Sequence, residues 1–217
     1  MVVQQESAPS EAGGRTQVER RAAAESALLA AAAELIAEQG VVETSLAQIG
    51  ERAGYSRGLA NHHFGSKAEL VEQLARRTQT AFTDSLGAGG ARTGREGIVN
   101  LVGAYLGHFD APTAESRAML VMWGANFPAQ SSVAGLVAAD ERFRQAVSGM
   151  IRQGHDDGSI GADVDPSGFA VALVAMLRGV IAQCLTDPAS IDLHSVRSEC
   201  ERFVTAGLGP TNKQGKE

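Results

Sequence analysis

Cysteine is scarce in this chain, and so are aromatic residues, net positive charge and any alternation of apolar with polar positions. Only two cysteines occur in 217 residues. Cys184 and Cys200 lie apart and form no CxxC or Cys/His cluster, which excludes a disulfide scaffold and a thiolate metal site. Both are read as buried apolar side chains, the default for free cysteine. Aromatics make up 5% of the chain, while alanine recurs throughout. Strands favour aromatic and β-branched residues, and alanine is the strongest helix former, so this composition leans to helix. The formal net charge is −6, which gives no general attraction to nucleic acid. Between Arg15 and Thr80, eight Lys or Arg balance eight Asp or Glu, so any such role must rest on local chemistry. The apolar run Phe169 to Leu185 contains Arg178 and Gln183. It is short for a membrane span and is read as a buried helix. The N-terminus lacks the basic, then apolar, then small-residue plan of a secretion signal, so a cytoplasmic location without a membrane partner is expected. There is no Walker loop, HExxH or dinucleotide fingerprint, so neither catalysis nor a cofactor is expected. His62 and His63 are neighbours on a helix and point about 100° apart, too far to share an ion easily. His155, Asp156 and Asp157 fit no EF-hand spacing. No metal site is expected.

What the chain does have is helical periodicity from end to end. Ala24, Leu28, Ala32, Leu35 and Ile36 fall on one face of a helix over about 16–39, closed by Gly40. A helix from near Ser66 carries Leu70, Val71, Leu74, Ala75 and Phe82, and fades into the glycine-rich stretch 87–94. Ile98, Leu101, Val102, Tyr105 and Phe109 mark the next helix, stopped by Asp110-Ala111-Pro112. Further helices are predicted over about 113–127, 132–155, 166–186 and 192–206. Asp165 and Pro166 open the third of these as N-cap and first residue. Leu193, Val196, Cys200 and Phe203 are expected to face inward on the last.

The segment from Ser45 to Phe64 departs from this plan of long helices. Ser45 and Gln48 have capping-box spacing, and Leu46, Ile49 and Ala53 give a small apolar face. Gly54 sits where a tight turn needs a positive φ. Ser56 is expected to cap a second short helix over 57–63, and Ser66 with Glu69 to cap the helix that follows. Capped short helices around a glycine turn describe a helix-turn-helix. In that reading Arg57 and Gly58 stand at a helix N-terminus, where free N–H groups suit a phosphate and Arg57 can also reach a guanine edge. Leu59, Asn61 and His62 project from the same helix, and Lys67 is placed to pair with a phosphate.

Ala53, Gly54, Tyr55, Ser56, Arg57, Gly58, His63, Phe64, Lys67 and Leu70 together resemble the signature of the TetR family of transcriptional regulators. The resemblance implies an all-α fold with a three-helix DNA-binding domain followed by a larger helical domain. It implies a homodimer joined through the last two helices, double-stranded operator DNA as partner, and a small-molecule effector that changes the spacing of two reading heads. By the same resemblance Arg57, Gly58 and Leu59 face bases or nearby phosphates, while His63 and Lys67 contact or orient the backbone. Many members carry tyrosine where this chain has Asn61. Asn61 either donates to a phosphate or reads adenine, with His62 beside it for the aromatic contact.

The expected organisation is a disordered arm over 1–14, a DNA-binding domain over 15–84, an effector-binding and dimerisation domain over 85–208, and a disordered tail over 209–217. Candidate DNA-facing residues are Ser45, Ser56, Arg57, Gly58, Leu59, Asn61, His62, His63 and Lys67. Candidate pocket residues are Tyr105, His108, Phe109, Met119, Met122, Trp123, Phe127, Phe143, Met150 and Met176. An aromatic and methionine stripe at helical spacing is usually core, so Trp123 and His108 lead this set for their polar handles. The expected function is a repressor released by its effector. The competing readings are a helical ligand-binding protein or enzyme, and a protein-binding module. Arg57 beside Gly58, without large apolar anchors, fits DNA better than a protein partner.

Overall fold

The computed structural model describes residues 16–87, 90–125 and 134–209. The expected arm over 1–14, residues 210–217 of the expected tail, and Phe127 with Pro128 lie outside them. The described residues form nine helices and no strand. In order these are α1 (Gln17–Glu43), α2 (Leu46–Arg52), α3 (Leu59–Phe64), α4 (Lys67–Gly87), α5 (Gly94–Gly107), α6 (Ala114–Ala125), α7 (Ala134–Asp156), α8 (Pro166–Thr186) and α9 (Leu193–Gly207).

Helix α1 starts at a reciprocal cap. The Thr16 Oγ1 accepts from the Glu19 N–H, and the Glu19 carboxylate accepts from the Thr16 N–H at 2.7 Å. Its regular part ends at Gly40, where φ is +86°. The freed carbonyls beyond are collected by side chains. Thr44 donates to the Gly40 carbonyl at 2.7 Å, and Lys67 donates to the carbonyls of Val41 and Val42 at 3.0 Å each. A lysine at the start of α4 thus closes α1.

Two clusters make the core, and their border does not follow the expected domain boundary. The first joins α1 to α4, through Leu28, Ile36, Ile49, Phe64, Leu70 and Leu74, with Ala118 and Met122 of α6 and Leu136 of α7. The most extensive helix contact is that of α1 with α6. Alanines 31, 32 and 33 are all buried there, so α6 can approach closely. The second cluster joins α5, α7, α8 and α9 through Leu101, Val147, Ile151, Leu173, Leu177 and Val204.

Two expectations about burial change. Helix α8 is apolar nearly all round and was expected to be covered on several sides. It is the one helix among the described residues long and apolar enough to cross a membrane by length and composition, yet only 33% of its apolar window is buried. Its face of Leu173, Val174, Leu177 and Ile181 packs inward, while Val171, Ala172, Ala175, Gly179 and Ala182 look outward. On α9, Phe203 was expected inward and is 60% exposed. Val204 takes the core position, and one residue of helix turns its neighbour about 100° away.

The end of α9 is fastened to α5. The Arg95 guanidinium reaches the carbonyls of Ser159, Thr205, Leu208 and Gly209. Beside it, Asp157 accepts from the Gly94 N–H at 2.8 Å and from the Ser159 N–H at 2.9 Å. Desolvation acts to raise the Asp157 carboxyl, but the bonds from Ser159 and Gly94 outweigh it and hold the group below the ordinary value. A depressed carboxylate contributes stability above its unfolded pKa, and loses it as pH falls through the folded value. Asp157→Asn is therefore expected to be less stable than the wild type at neutral pH. The gap between the two urea midpoints should shrink as pH is lowered below about 4; a gap that stays constant with pH would count against this carboxylate.

Candidate nucleic-acid interface and internal cavity

Helix α2 opens on the expected capping box. The Gln48 N–H donates to the Ser45 Oγ at 3.3 Å, and the Ser45 N–H donates to the Gln48 Oε1 at 2.8 Å. Arg52 then ties α2 to α1 through Glu34 and Glu38, so it contributes to orientation and has little charge left for a partner. The turn is tight. Gly54 has φ +76°, and the Tyr55 N–H donates to the Gly50 carbonyl at 2.8 Å. A Cβ on Gly50 would stand 2.6 Å from the Ser56 carbonyl oxygen, so glycine is what lets the turn fold back on α2.

That close approach explains a difference from the sequence reading. Ser56 does not cap the second helix with its side chain. The helix starts two residues later than expected, at Leu59, with Gly58 as N-cap. Ser56 instead offers its backbone carbonyl to the Leu59 N–H at 3.0 Å. The box at Ser66 is half made: its Oγ accepts from the Glu69 N–H at 3.2 Å, while its own N–H goes to the Phe64 carbonyl at 2.8 Å.

The short helix α3 has one buried side and one open side. Ala60 and Phe64 are buried in the first cluster, with Leu59 partly covered. Asn61 and His62 are exposed, and His63 is half-buried. Ser45, Ser56, Arg57 and Gly58 are exposed as well, and Lys67 is half-buried, so every DNA-facing candidate has at least part of its surface open on this one end of the chain. Tyr55, 38% exposed on the same turn, was not among those candidates, although an exposed aromatic with a hydroxyl is a usual polar-surface contact. The Arg57 side chain is 77% exposed and its Nε pairs with Glu51. Exposed pairs of this kind hold weakly, and a phosphate can replace the carboxylate. Lys67 is different. Its ammonium already serves two carbonyls of the α1 end, which assigns it a positioning role in the free chain.

The larger domain encloses a cavity with about 650 Å³ of unfilled space, counting its open mouth. Six of the ten pocket candidates line it: Tyr105, His108, Phe109, Met119, Trp123 and Phe143. Met122 does not; it is buried between α1 and α6. Met150 rests against Gly97, and Met176 lines a separate hollow with Phe169 and Phe203. Phe127 lies outside the described residues. The sequence reading missed Thr78, Gln79 and Phe82 of α4, and Ser116, Leu120, Ala139 and Arg178, which also line the cavity. Arg178 is buried and holds Asp140 through both terminal nitrogens, one bond at 2.9 Å. Its guanidinium carbon sits 5.0 Å over the Trp123 ring centre. A charged residue in the middle of an apolar helix has to be paired if buried, and that was the signal available in the sequence. Burial pushes the Tyr105 phenol above its ordinary value, with Arg178 acting the other way. Cys184 and Cys200 are half-buried and buried, and desolvation raises both thiols, which disfavours the reactive thiolate.

The cavity touches the helix that follows α3. Gln79 of α4 donates to the Ala139 carbonyl of α7 at 2.6 Å and accepts from Arg142 at 3.2 Å. The same helix carries Leu70, Val71, Leu74 and Ala75 into the first cluster.

Comparison with known proteins agrees with this layout. Residues 28–74 match the bacterial regulatory proteins of the tetR family, and residues 94–209 match the C-terminal domain of BetI-type transcriptional repressors. The HTH-type transcriptional repressor KstR2 of Rhodococcus jostii is 29% identical over 151 residues, covering 64% of this chain and 68% of its own. The HTH-type transcriptional regulator TtgR of Pseudomonas putida is 27% identical over 206 residues, covering 83% and 88%. Among solved structures, the SmeT–triclosan complex superposes with a TM-score of 0.71 at 22% identity, covering 90% of this chain and 100% of that one.

Arg57 and Lys67 are expected to separate by experiment. Arg57→Ala should leave the melting temperature unchanged and weaken DNA binding. Lys67→Met should lower the melting temperature, because the Val41 and Val42 carbonyls lose their donor. Differential scanning fluorimetry beside an anisotropy titration checks both, and a Lys67→Met chain of unchanged stability would remove the positioning role.

Proposed function

The chain belongs to the TetR family of bacterial transcriptional regulators, and on that premise we propose that it is a repressor released from its operator by a small molecule held in the α4–α7 cavity. The family and its relatives make it a DNA-binding regulator responsive to small molecules. The observation that carries the finer reading is the course of α4, which packs in the reading head at one end and lines the cavity at the other. A ligand that parts Gln79 from Ala139 favours a different seating of α4, and the head moves with it. Only such a difference in affinity between two seatings can shift the equilibrium. Arg57, Gly58, Asn61 and His62 are the side most suited to a major groove, with Leu59 and His63 flanking it. The matched relatives are regulators, and the larger domain is read as a sensor without catalysis.

Two heads are needed to read a two-fold site. The outward face of α8 is apolar and small, with Ala172, Ala175, Gly179 and Ala182 beside Val171 at 56% exposure, and Phe203 of α9 stands 60% exposed. Small residues let helices approach closely, and large exposed apolar side chains in a row mark an interface. This face is proposed as the dimer seam, with half-sites read about one helical turn apart, roughly 34–36 Å.

The DNA immediately upstream of the chain's own gene is the first probe. A preference of about a thousandfold over scrambled DNA at near-physiological salt is expected; equal weak binding to this DNA, and no enriched sequence from a random pool, would defeat the reading. For the seam, Phe203→Glu should sediment as a monomer at micromolar concentration and lose most operator affinity. A Phe203→Glu chain that remains dimeric and binds operator fully would place the seam elsewhere.

A further inference from the structure

Resting on the reading of the α2–α3 end as the DNA-binding head, we infer that Tyr55 grips a backbone phosphate of the DNA through its hydroxyl. The turn that carries it is open and fixed. Residues 54–58 are all exposed. The Tyr55 N–H donates to the Gly50 carbonyl at 2.8 Å, Gly54 holds φ at +76°, and the Leu59 N–H donates to the Ser56 carbonyl at 3.0 Å. The backbone at Tyr55 is therefore set before any partner arrives. The side chain is not core. It is 38% exposed, and while Ala53 and Leu59 on either side of the turn pack on the first cluster, Tyr55 does not. Its hydroxyl has no hydrogen-bond partner among the described residues.

The chemistry around the turn selects a phosphate. Charge at this end is already engaged within the chain: Arg52 pairs with Glu34 and Glu38, Lys67 with the Val41 and Val42 carbonyls, and Arg57 with Glu51. Neutral donors then matter more, and hydroxyls, amides and backbone N–H groups supply many of the contacts that proteins make to phosphate oxygens. The Ser45 hydroxyl is spent on Gln48, donating to its Oε1 at 2.8 Å. Tyr55 carries its hydroxyl at the far tip of a ring with only two rotatable bonds, so ordering it costs little entropy. A hydroxyl bond to an ionised oxygen is short and stronger than one between neutral groups. A base edge is the poorer match, because bases are told apart chiefly by bidentate amides and guanidinium groups, and a phenol offers one donor. The contact therefore positions the head and carries no sequence information.

Tyr55→Phe removes the oxygen and keeps the ring. The full-length chain and this variant are titrated by fluorescence anisotropy against two duplexes, the DNA upstream of the chain's own gene and a scrambled sequence, over a series of potassium chloride concentrations. The expected result is binding about tenfold weaker to both duplexes, the loss of a hydrogen bond to a charged acceptor. The slope of log affinity against log salt should match that of the wild type, because a neutral donor releases no counterion. The melting temperature should be unchanged. Arg57→Ala, run beside it, should flatten the slope. Wild-type affinity of Tyr55→Phe for both duplexes overturns the proposal, as does a loss confined to the upstream duplex or a lowered melting temperature. If Tyr55→Phe binds as the wild type does while Arg57→Ala binds weakly, the role of Tyr55 falls and the DNA-binding head stands. A wild-type chain that binds neither duplex even at low salt overturns both.

Discussion

One helix belongs to two cores, and the rest of the structure depends on it. Helix α4 has 21 residues, about 31 Å at 1.5 Å per residue. Its first turns place Leu70, Val71, Leu74 and Ala75 among the side chains of α1 and α3, and its later turns place Phe82 among those of α5 and α7. A packed interior does not deform smoothly; it has discrete arrangements. The helix therefore cannot shift at the cavity and stay fixed at the head. The contact of α1 with α6 adds a second attachment, since Ala118 and Met122 of the larger domain are buried against the alanine face of α1. Head and body are thereby parts of one mechanical unit, although the sequence suggests two domains joined by a glycine-rich stretch.

The reading end shows how little charge the interface has to spend. Arg52 is held by Glu34 and Glu38 and Lys67 by two carbonyls, while Arg57 rests on an exposed and replaceable partner. In a chain with a net charge of −6, nonspecific attraction to phosphate is weak, because that attraction scales with the cations that displace counterions. The geometry of the turn matters correspondingly more. Gly50 and Gly54 let the chain double back so that Gly58 and the open side of α3 stand together at one end of the chain.

Much of this was legible from the residues, and the exceptions have physical reasons. Caps and periodicity are local, so the helices, the kink at Gly40, the box at Ser45 and the N-cap at Asp165 could be read directly. Ser56 was misread because its carbonyl, pressed against Gly50, matters more than its hydroxyl. Lys67 was read as a phosphate partner, and its contacts within the chain went unseen because they lie 25 and 26 residues away, where spacing along a helix says nothing. Phe203 was placed inward because hydrophobicity was taken as burial, although exposed apolar side chains are common on protein surfaces. The aromatic half of the cavity was visible as a stripe at helical spacing. The place of Arg178 in its lining was not, since the partner that lets it be buried, Asp140, is 38 residues away and only the fold brings them together.

The central claim is that occupancy of the cavity reseats α4 and moves the reading head. The most direct measurement is the distance between the two heads of a dimer. A spin label on Ala47, exposed on α2, in a Cys184→Ser background, reports that distance by pulsed electron resonance with and without a saturating ligand of the cavity. A shifted distance distribution on saturation is expected, and a smaller shift at the same ligand concentration when Met119→Trp narrows the cavity. A distribution unchanged by a ligand shown to be bound would contradict the claim.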